Sequence, residues 1–452
     1  MPISPARVAA YEILLRIERE ASYCSELLHA QKYAQLSSVD HGLATELVMG
    51  VLRWRSLLDA RIAAHSSQKL SRLDLEVLTA LRLASYQIMF LDRVPQHAAV
   101  NESAELVKRA RKRSAVPFVN AVLRKLAREK AERPEIRAAS GAAALAAASA
   151  HPLWLVDRWV QAFGLEQARK ICEYNQQPPE TSLRISDAAV EEELQREGIM
   201  LGPGRLLASA RRVVSGDITQ TKAFRSGRVA NQGFAIQDEA SQLVALLVGR
   251  GVRILDCCAA PGGKTRVLAQ QNSGATIVAA ELHPQRARLM RRLVPESNVY
   301  IIAADACALP LDSQFDRVLA DVPCSGTGTL ARNPEIKWRL QPPEENGNDL
   351  ADLQRKQVAI LESATQRVAP GGRLVYSTCS LEPEEDEQVI EKAMAANNAF
   401  RLVNCRDELE RLRSEKELIW PNPDSFVNGP YLRTIPGVHP CDGFFAAILE
   451  MT

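Results

Sequence analysis

Hydrophobic positions recur at helical spacing through the first 140 residues, then give way after Phe224 to short β-branched runs that alternate with helical stretches. Near the start, Val8, Tyr11, Leu14 and Leu15 share one stripe, and segments 43–63 and 73–91 repeat the period. Pro95 and Pro117 each precede a new amphipathic segment, as suits proline in a first helical turn. An alanine-rich connector with a Ser-Gly break spans 131–150. Beyond it the pattern predicts helices over 153–163 and 165–175, an alternating strand over 181–186 and a helix over 190–197. Further on, strands are predicted at 252–257, 276–280, 299–303, 317–321 and 373–377, with helices between them, notably 286–293 and 350–368. The stretch from Gly443 reads as a last strand, antiparallel at one side of the sheet. Strands alternating with helices imply a doubly wound parallel sheet. The expected organisation is an all-helical domain over 1–145, a small α/β subdomain over 146–225 and a larger α/β domain over 226–452.

Composition narrows the class. A chain of 452 residues with 46% apolar and 24% charged positions can bury more than one core. Its start resembles neither a signal peptide nor a membrane span, and no apolar run approaches the length a bilayer requires. Nine cysteines in such a chain argue against a disulfide scaffold, so a cytoplasmic protein with reduced thiols is expected, as a monomer. The net charge of +2 hides an asymmetry: residues 1–150 carry 22 Lys and Arg against 15 Asp and Glu, the remainder 34 against 39. Lys108, Arg109, Arg111, Lys112, Arg113, Arg124, Lys125, Arg128 and Lys130 crowd one stretch with Glu129 as the single acid. Such a cluster suits several phosphates, although a solvated helix face explains it equally well.

Candidate chemistry gathers at predicted strand ends. Cys324 lies in Asp321-Val-Pro-Cys-Ser-Gly-Thr-Gly and Cys379 in Val375-Tyr-Ser-Thr-Cys-Ser-Leu, each just past a strand. In an open α/β sheet that edge is where ligands bind, so two thiols there are a candidate nucleophile and helper. Cys24, Cys172, Cys307, Cys405 and Cys441 read as inert buried residues. The turn Asp256-Cys-Cys258-Ala259-Ala260-Pro261-Gly262-Gly263-Lys264-Thr265 lacks both the dinucleotide fingerprint and the Walker spacing. A tight turn of small residues suits the amino-acid part of S-adenosylmethionine better. Glu281, ending the next strand, is placed for ribose hydroxyls, and Asp305, ending the third, for the adenine amine. Singly, each acid would be read as a helix cap. No Cys-x-x-Cys or paired histidine spacing suggests a metal.

These motifs, with Arg332-Asn-Pro-Glu-Ile-Lys-Trp338 and Tyr376-Ser-Thr-Cys-Ser380, resemble the RNA cytosine-C5 methyltransferases of the NOL1/NOP2/Sun family. Gly233-Phe-Ala-Ile-Gln-Asp-Glu-Ala-Ser and Asp442-Gly-Phe-Phe belong to the same pattern. Arg53-Trp-Arg, Val94-Pro-Gln-His-Ala-Ala-Val-Asn-Glu and Phe118-Val-Asn-Ala-Val-Leu-Arg resemble the helical NusB-like domain that, within the family, marks bacterial small-subunit rRNA enzymes. The resemblance implies a Rossmann-like, S-adenosylmethionine-dependent methyltransferase sheet behind a NusB-like RNA-binding domain. It implies 16S rRNA, or a small-subunit assembly intermediate, as partner, with the target the cytosine equivalent to position 967. It assigns attack on cytosine C6 to Cys379, release of the adduct to Cys324, contact with the base to Asp321, and a place lining the site to Lys264. DNA cytosine-C5 enzymes use the Pro-Cys thiol but lack the second cysteine, so the pair favours RNA. A scaffold that binds RNA without methylating it is the non-enzymatic alternative. The insert 344–349 and the stretch 411–422 depart from the family pattern.

Overall fold

The computed structural model describes residues 3–20, 22–33, 35–129, 135–185, 187–225, 233–342 and 349–452. Lys130, positions 131–134 of the connector and residues 344–348 of the insert lie outside the described residues. Two compact units emerge, residues 1–178 with 330–342, and residues 179–329 with 343–452. The division at 178/179 groups the helices at 153–175 with the N-terminal unit, whereas the alanine-rich composition suggests a boundary near residue 145.

In the first unit, helices Pro5–Glu20, Ser38–His65, Leu75–Phe90, Gln96–Arg109 and Val116–Arg128 bury a common core that includes Ile13, Leu47, Leu58, Ile62, Leu81 and Leu123. Ser37 caps the second of these, its Oγ accepting from Asp40 N at 3.1 Å. Pro117 sits in the first turn of Val116–Arg128, while Pro95 is the cap before Gln96. Residues 330–342 complete this unit. Lys337, 1% exposed, donates to Arg53 O at 2.8 Å and Ala150 O at 3.1 Å. Trp338 Nε1 donates to Leu52 O at 2.7 Å, and Glu335 Oε1 accepts from Cys24 N at 2.9 Å. The Arg332–Trp338 motif is therefore a tie between segments distant in sequence. Burial pushes the Lys337 ammonium down to about 7, so its place depends on those two carbonyls.

The second unit contains two sheets. Strands β1 (Ser182–Ile185), β2 (Met200–Pro203), β3 (Ala210–Ser215) and β4 (Phe234–Ile236) form an antiparallel sheet in the order β2-β3-β1-β4. Leu194 of helix Ala188–Arg196 packs with Leu183, Ile199, Ile218 and Phe234 in its core. The larger sheet is built from β5 (Arg253–Asp256), β6 (Thr276–Glu281), β7 (Val299–Ala303), β8 (Phe315–Asp321), β9 (Val368–Thr378), β10 (Phe400–Val403), β11 (Val427–Asn428), β12 (Tyr431–Thr434) and β13 (Phe444–Met451). Its order is β11-β12-β13-β9-β8-β5-β6-β7, with β10 also pairing β13. The pairs among β5 to β9 are parallel, as the alternation of strands and helices predicts.

Two expectations need correcting. The last strand is antiparallel to β9 but interior, because β12 pairs with its first half and β10 with its second. Helix 350–368 runs instead from Asp349 to Thr365, and Val368 already opens β9. The large sheet also fixes where a ligand can bind. From β5 the chain proceeds outward to β6 and β7, then crosses to β8 and β9 on the other side. Strand order thus reverses between β5 and β8, and the crevice of an open α/β sheet lies at the carboxyl ends of such neighbours.

Gly50 tests how tightly the first core is packed. A Cβ there would overlap the ring of Tyr86, which is buried and whose hydroxyl donates to Glu46 Oε1 at 2.5 Å. Alanine gains about 1 kcal/mol over glycine in a helix, whereas overpacking costs about 1–3 kcal/mol. Gly50→Ala is expected to destabilise the protein, by up to ~2 kcal/mol, in a urea titration. A gain in stability would mean that Tyr86 swings aside without loss.

Candidate functional site

Strand β5 ends in Asp256, which is buried and begins the glycine turn. Thr265 Oγ1 donates to Asp256 Oδ2 at 2.7 Å, while Oδ1 is buried with no hydrogen-bond partner among the described residues. Burial raises this carboxyl to about 7. The turn is pinned on both flanks: Cys257 N donates to Leu319 O at 2.8 Å and Ala259 N to Ala280 O at 2.9 Å. Helix Gly263–Gln271 then starts without a side-chain cap. Its first N–H groups are left for whatever lies at the sheet edge.

The neighbouring strands supply the reactive groups. Asp321 ends β8, and its parallel partner in β9 is Ser377. Ser377 Oγ donates to Asp321 Oδ1 at 2.8 Å, and Lys264 Nζ lies 2.7 Å from Oδ2. The ammonium also stands 4.8 Å from the centroid of the Phe444 ring. A few residues past the same strand ends, the sulfurs of Cys324 and Cys379 are 3.3 Å apart, both as free thiols. The Cys324 thiol is pushed well above its ordinary value, first by its hydrogen bond with Cys379 and then by burial. Lys264 thus engages Asp321 and the Phe444 ring, and the Cys324 thiol is raised rather than lowered.

Close backbone contact keeps the two thiol loops together. Gly328 N donates to Cys379 O at 2.9 Å, and Gly443 N donates to Gly328 O at 2.8 Å. A Cβ on Gly328 would overlap Gly443 O and come 2.9 Å from Cys379 O, so only glycine fits between these strands.

Several participants were not visible in the sequence. Glu385, fully buried, accepts from Ser325 N at 2.8 Å and Gln357 Nε2 at 2.9 Å through Oε1. Its Oε2 accepts from the hydroxyls of Ser325 and Ser380, the latter at 2.5 Å. Next to it, buried Asp386 accepts from Thr378 Oγ1 at 2.6 Å and pairs with Arg433 at 3.2 Å. Both acids sit in Glu382-Pro-Glu-Glu-Asp-Glu387, a run whose composition reads as a solvated face. The only available signal was indirect: the Ser and Thr residues flanking both cysteines need partners once buried.

The remaining predicted residues are placed as follows. Cys258, Ala259, Ala260, Pro261, Gly262 and Gly263 form the turn between β5 and its helix. Glu281, buried at the end of β6, accepts from His283 N at 2.9 Å. Asp305 is exposed beyond β7 and caps the following turn, accepting from Cys307 N at 2.9 Å. Within the first unit, Lys108, Arg109 and Lys112 pair with Glu105, Glu12 and Asp74. Arg111, Arg113, Arg124 and Lys125 are exposed and form no ion pair among the described residues. Among the described residues there is no cluster of three or more His, Cys, Asp or Glu suited to a metal, and no helix long and apolar enough to cross a membrane.

The strand order and crevice define a Rossmann-like methyltransferase fold, preceded by a NusB-like helical unit. Sequence profiles agree with that division: residues 244–450 match 16S rRNA methyltransferase RsmB/F, residues 4–128 the NusB family, and residues 151–215 the ferredoxin-like domain of RsmF/B-like methyltransferases. A probable ribosomal RNA small subunit methyltransferase B from Bacillus subtilis is 32% identical, covering 98% of each chain. One from Synechocystis is 31% identical, covering 98% of this chain and 99% of its own. The crystal structure of PH0851 superposes with a TM-score of 0.79 at 23% identity, over 100% of this chain and 99% of that one, and so shares the fold. The chain belongs to the family of ribosomal RNA small subunit methyltransferases B.

Asp256 gives the site a pH signature. Its carboxyl titrates at about 7 in the folded chain against 3.8 in the reference state, so between those values the folded chain keeps a proton that the unfolded chain has released. That stabilising contribution is complete below the lower value and lost as pH rises through the upper one. Between about pH 4 and pH 7 the unfolding free energy should therefore fall more steeply for the wild type than for Asp256→Asn, by up to ~1.4 kcal/mol per pH unit. Parallel slopes in denaturant titrations of the two proteins would remove Asp256 as the cause.

Proposed function

We propose that this chain transfers the methyl group of S-adenosylmethionine to C5 of a cytosine in 16S rRNA, the 967-equivalent, through a covalent adduct between Cys379 and C6. The observation that carries this reading is the 3.3 Å separation of the Cys324 and Cys379 sulfurs at the ends of β8 and β9. Cytosine C5 is a weak nucleophile until a group adds at C6. One thiol suffices for that addition; a second in contact with it suits an enzyme that must also undo the bond.

The residues at the switch point fit S-adenosylmethionine. The uncapped start of helix Gly263–Gln271 suits a carboxylate, the unpartnered Asp256 Oδ1 suits an ammonium, and Glu281 at the next strand end suits ribose hydroxyls. Asp305 would take the adenine amine. When bound there, the cofactor supplies the electrophilic methyl group.

The chain's own residues divide the rest. Cys379 gives up its thiol proton to solvent and its sulfur bonds to C6, moving the C5–C6 electron pair onto C5, from where it bonds to the methyl carbon. Asp321, its charge balanced by Lys264 and oriented by Ser377, accepts from the exocyclic amine or a protonated N3 and so steadies the base during addition. After methylation the C5 proton leaves to solvent and the S–C6 bond breaks. Cys324, kept protonated by burial and by its hydrogen bond, lies where it can donate to the departing sulfur. In this assignment residues 1–145 grip RNA, 146–225 link, and 226–452 catalyse. Lys108, Arg109, Arg111, Lys112, Arg113, Arg124 and Lys125 are the phosphate contacts, with either 16S rRNA or a small-subunit assembly intermediate as the partner. The target must be unpaired or splayed out before a thiol can reach C6.

The cysteines should fail differently. Cys379→Ala is expected to abolish methyl transfer and leave no adduct, whereas Cys324→Ala should accumulate a protein–RNA adduct stable in a denaturing gel. An adduct formed by Cys379→Ala instead would reverse the roles. Bisulfite sequencing of 16S rRNA with and without the protein locates the base, and an unchanged cytosine pattern would sink the proposed reaction.

Phosphate contacts should show as salt dependence. Replacing Arg111, Lys112 and Arg113 by Gln is expected to lower the slope of log affinity against log salt by roughly one per lost contact, with cofactor affinity unchanged. An unchanged slope in filter binding would leave those side chains as ordinary solvated charges.

A further inference from the structure

We propose that Glu385 is a positioning residue that sets the separation of the two thiols by holding the residue that follows each of them. Its carboxylate reaches Ser325, immediately after Cys324, through both backbone N and hydroxyl, and Ser380, immediately after Cys379, through its hydroxyl. Gln357 extends the grip, because the Nε2 that donates to Glu385 Oε1 also donates to Pro323 O at 3.0 Å. Cys324 is thus fixed from both sides and Cys379 from one. The two serine hydroxyls, 3.1 Å apart, are drawn together by the same oxygen.

The chemistry of the cradle separates positioning from charge. All four donors are neutral, and Glu385 forms no ion pair among the described residues. Burial meanwhile raises its pKa. Such a carboxyl is costly to bury and is retained only where its hydrogen bonds decide geometry. A glutamine of the same length could still join the loops, its carbonyl accepting from Ser325 N and Gln357 and its NH2 donating to the two serine hydroxyls. An aspartate, one methylene shorter, cannot reach both. Glu385 has no part in binding cofactor or base in this scheme. Its effect on the reaction rests on the proposed adduct chemistry, in which Cys324 must stay in contact with the sulfur it helps to release.

The test reads thiol spacing directly and the reaction separately. Phenylarsine oxide bridges two nearby thiols by forming two S–As bonds and releasing one water. It should bridge Cys324 and Cys379 in the full-length wild type and fail to do so in Cys324→Ser, which measures the background from the other cysteines. Glu385→Asp and Glu385→Ala are expected to bridge about tenfold more weakly. They should also release methylated RNA roughly 10–100-fold more slowly, with covalent adduct accumulating and KM for S-adenosylmethionine within about twofold of wild type. Glu385→Gln should restore both readouts to within about threefold. Should the alanine variant not fold, Ser380→Ala removes one arm of the grip and is expected to show a smaller loss of the same kind. The proposal is overturned if folded Glu385→Asp or Ser380→Ala bridges and turns over like wild type, or if Glu385→Gln is as defective as Glu385→Ala. Failure of Cys324→Ala to trap any adduct would count against the cytosine reaction itself, while the arsenical arm would still decide the role of Glu385.

Discussion

The parallel register of β8 against β9, which sets Asp321 opposite Ser377, is the constraint from which the site follows. Once that pair is aligned, the chain needs three more residues to reach Cys324 and two more to reach Cys379, and both thiols must emerge at the same edge. A one-residue slip would put every side chain of one strand on the wrong face of the sheet. It would also separate Ser377 from the carboxylate it orients and break the contact between the sulfurs. Antiparallel β13 locks this register from the far side of β9, pairing Phe445 with Thr378 and continuing to Glu450 opposite Arg373. The glycines at 328 and 443 then allow the loop after β8 to lie against the end of β9 with no side chain between them.

Much of this frame was legible in the chain. Strand 299–303 and helices 153–163 and 165–175 occupy the residues that the pattern predicts, because β-branched runs and a clean 3.6-residue period are local signals. The short strands β2, β4, β10, β11 and β12 were not foreseen: two to four residues hold too little period to read, and Met200-Leu-Gly-Pro203 carries residues that disfavour strands. Two of them, β10 and β12, are why β13 is interior. At the site, the thiols stand out from their places after strands, and Asp321 and Lys264 through the family resemblance. The ion pair joining Lys264 to Asp321 across 57 positions does not, since pairing is a property of the folded sheet. Glu385 was hidden for a related reason. Sequence cannot distinguish an acid run that faces water from one that turns inward to meet serine and threonine hydroxyls.

Two carboxylates, the half-buried Asp321 and the buried Glu385, therefore lie beside the thiols with different company. Asp321 is matched by an ammonium, so its charge is compensated and it can serve a polar base edge without forcing a proton onto its neighbours. Glu385 is matched by neutral donors, and the Cys324 thiol is raised first by the sulfur contact and then by burial, the charge of Glu385 adding less. A thiol that keeps its proton is a poor nucleophile but a suitable donor to a departing sulfur. In the proposed reaction the compensated acid serves the base, while the uncompensated one holds the two thiol loops through its hydrogen bonds rather than through its charge.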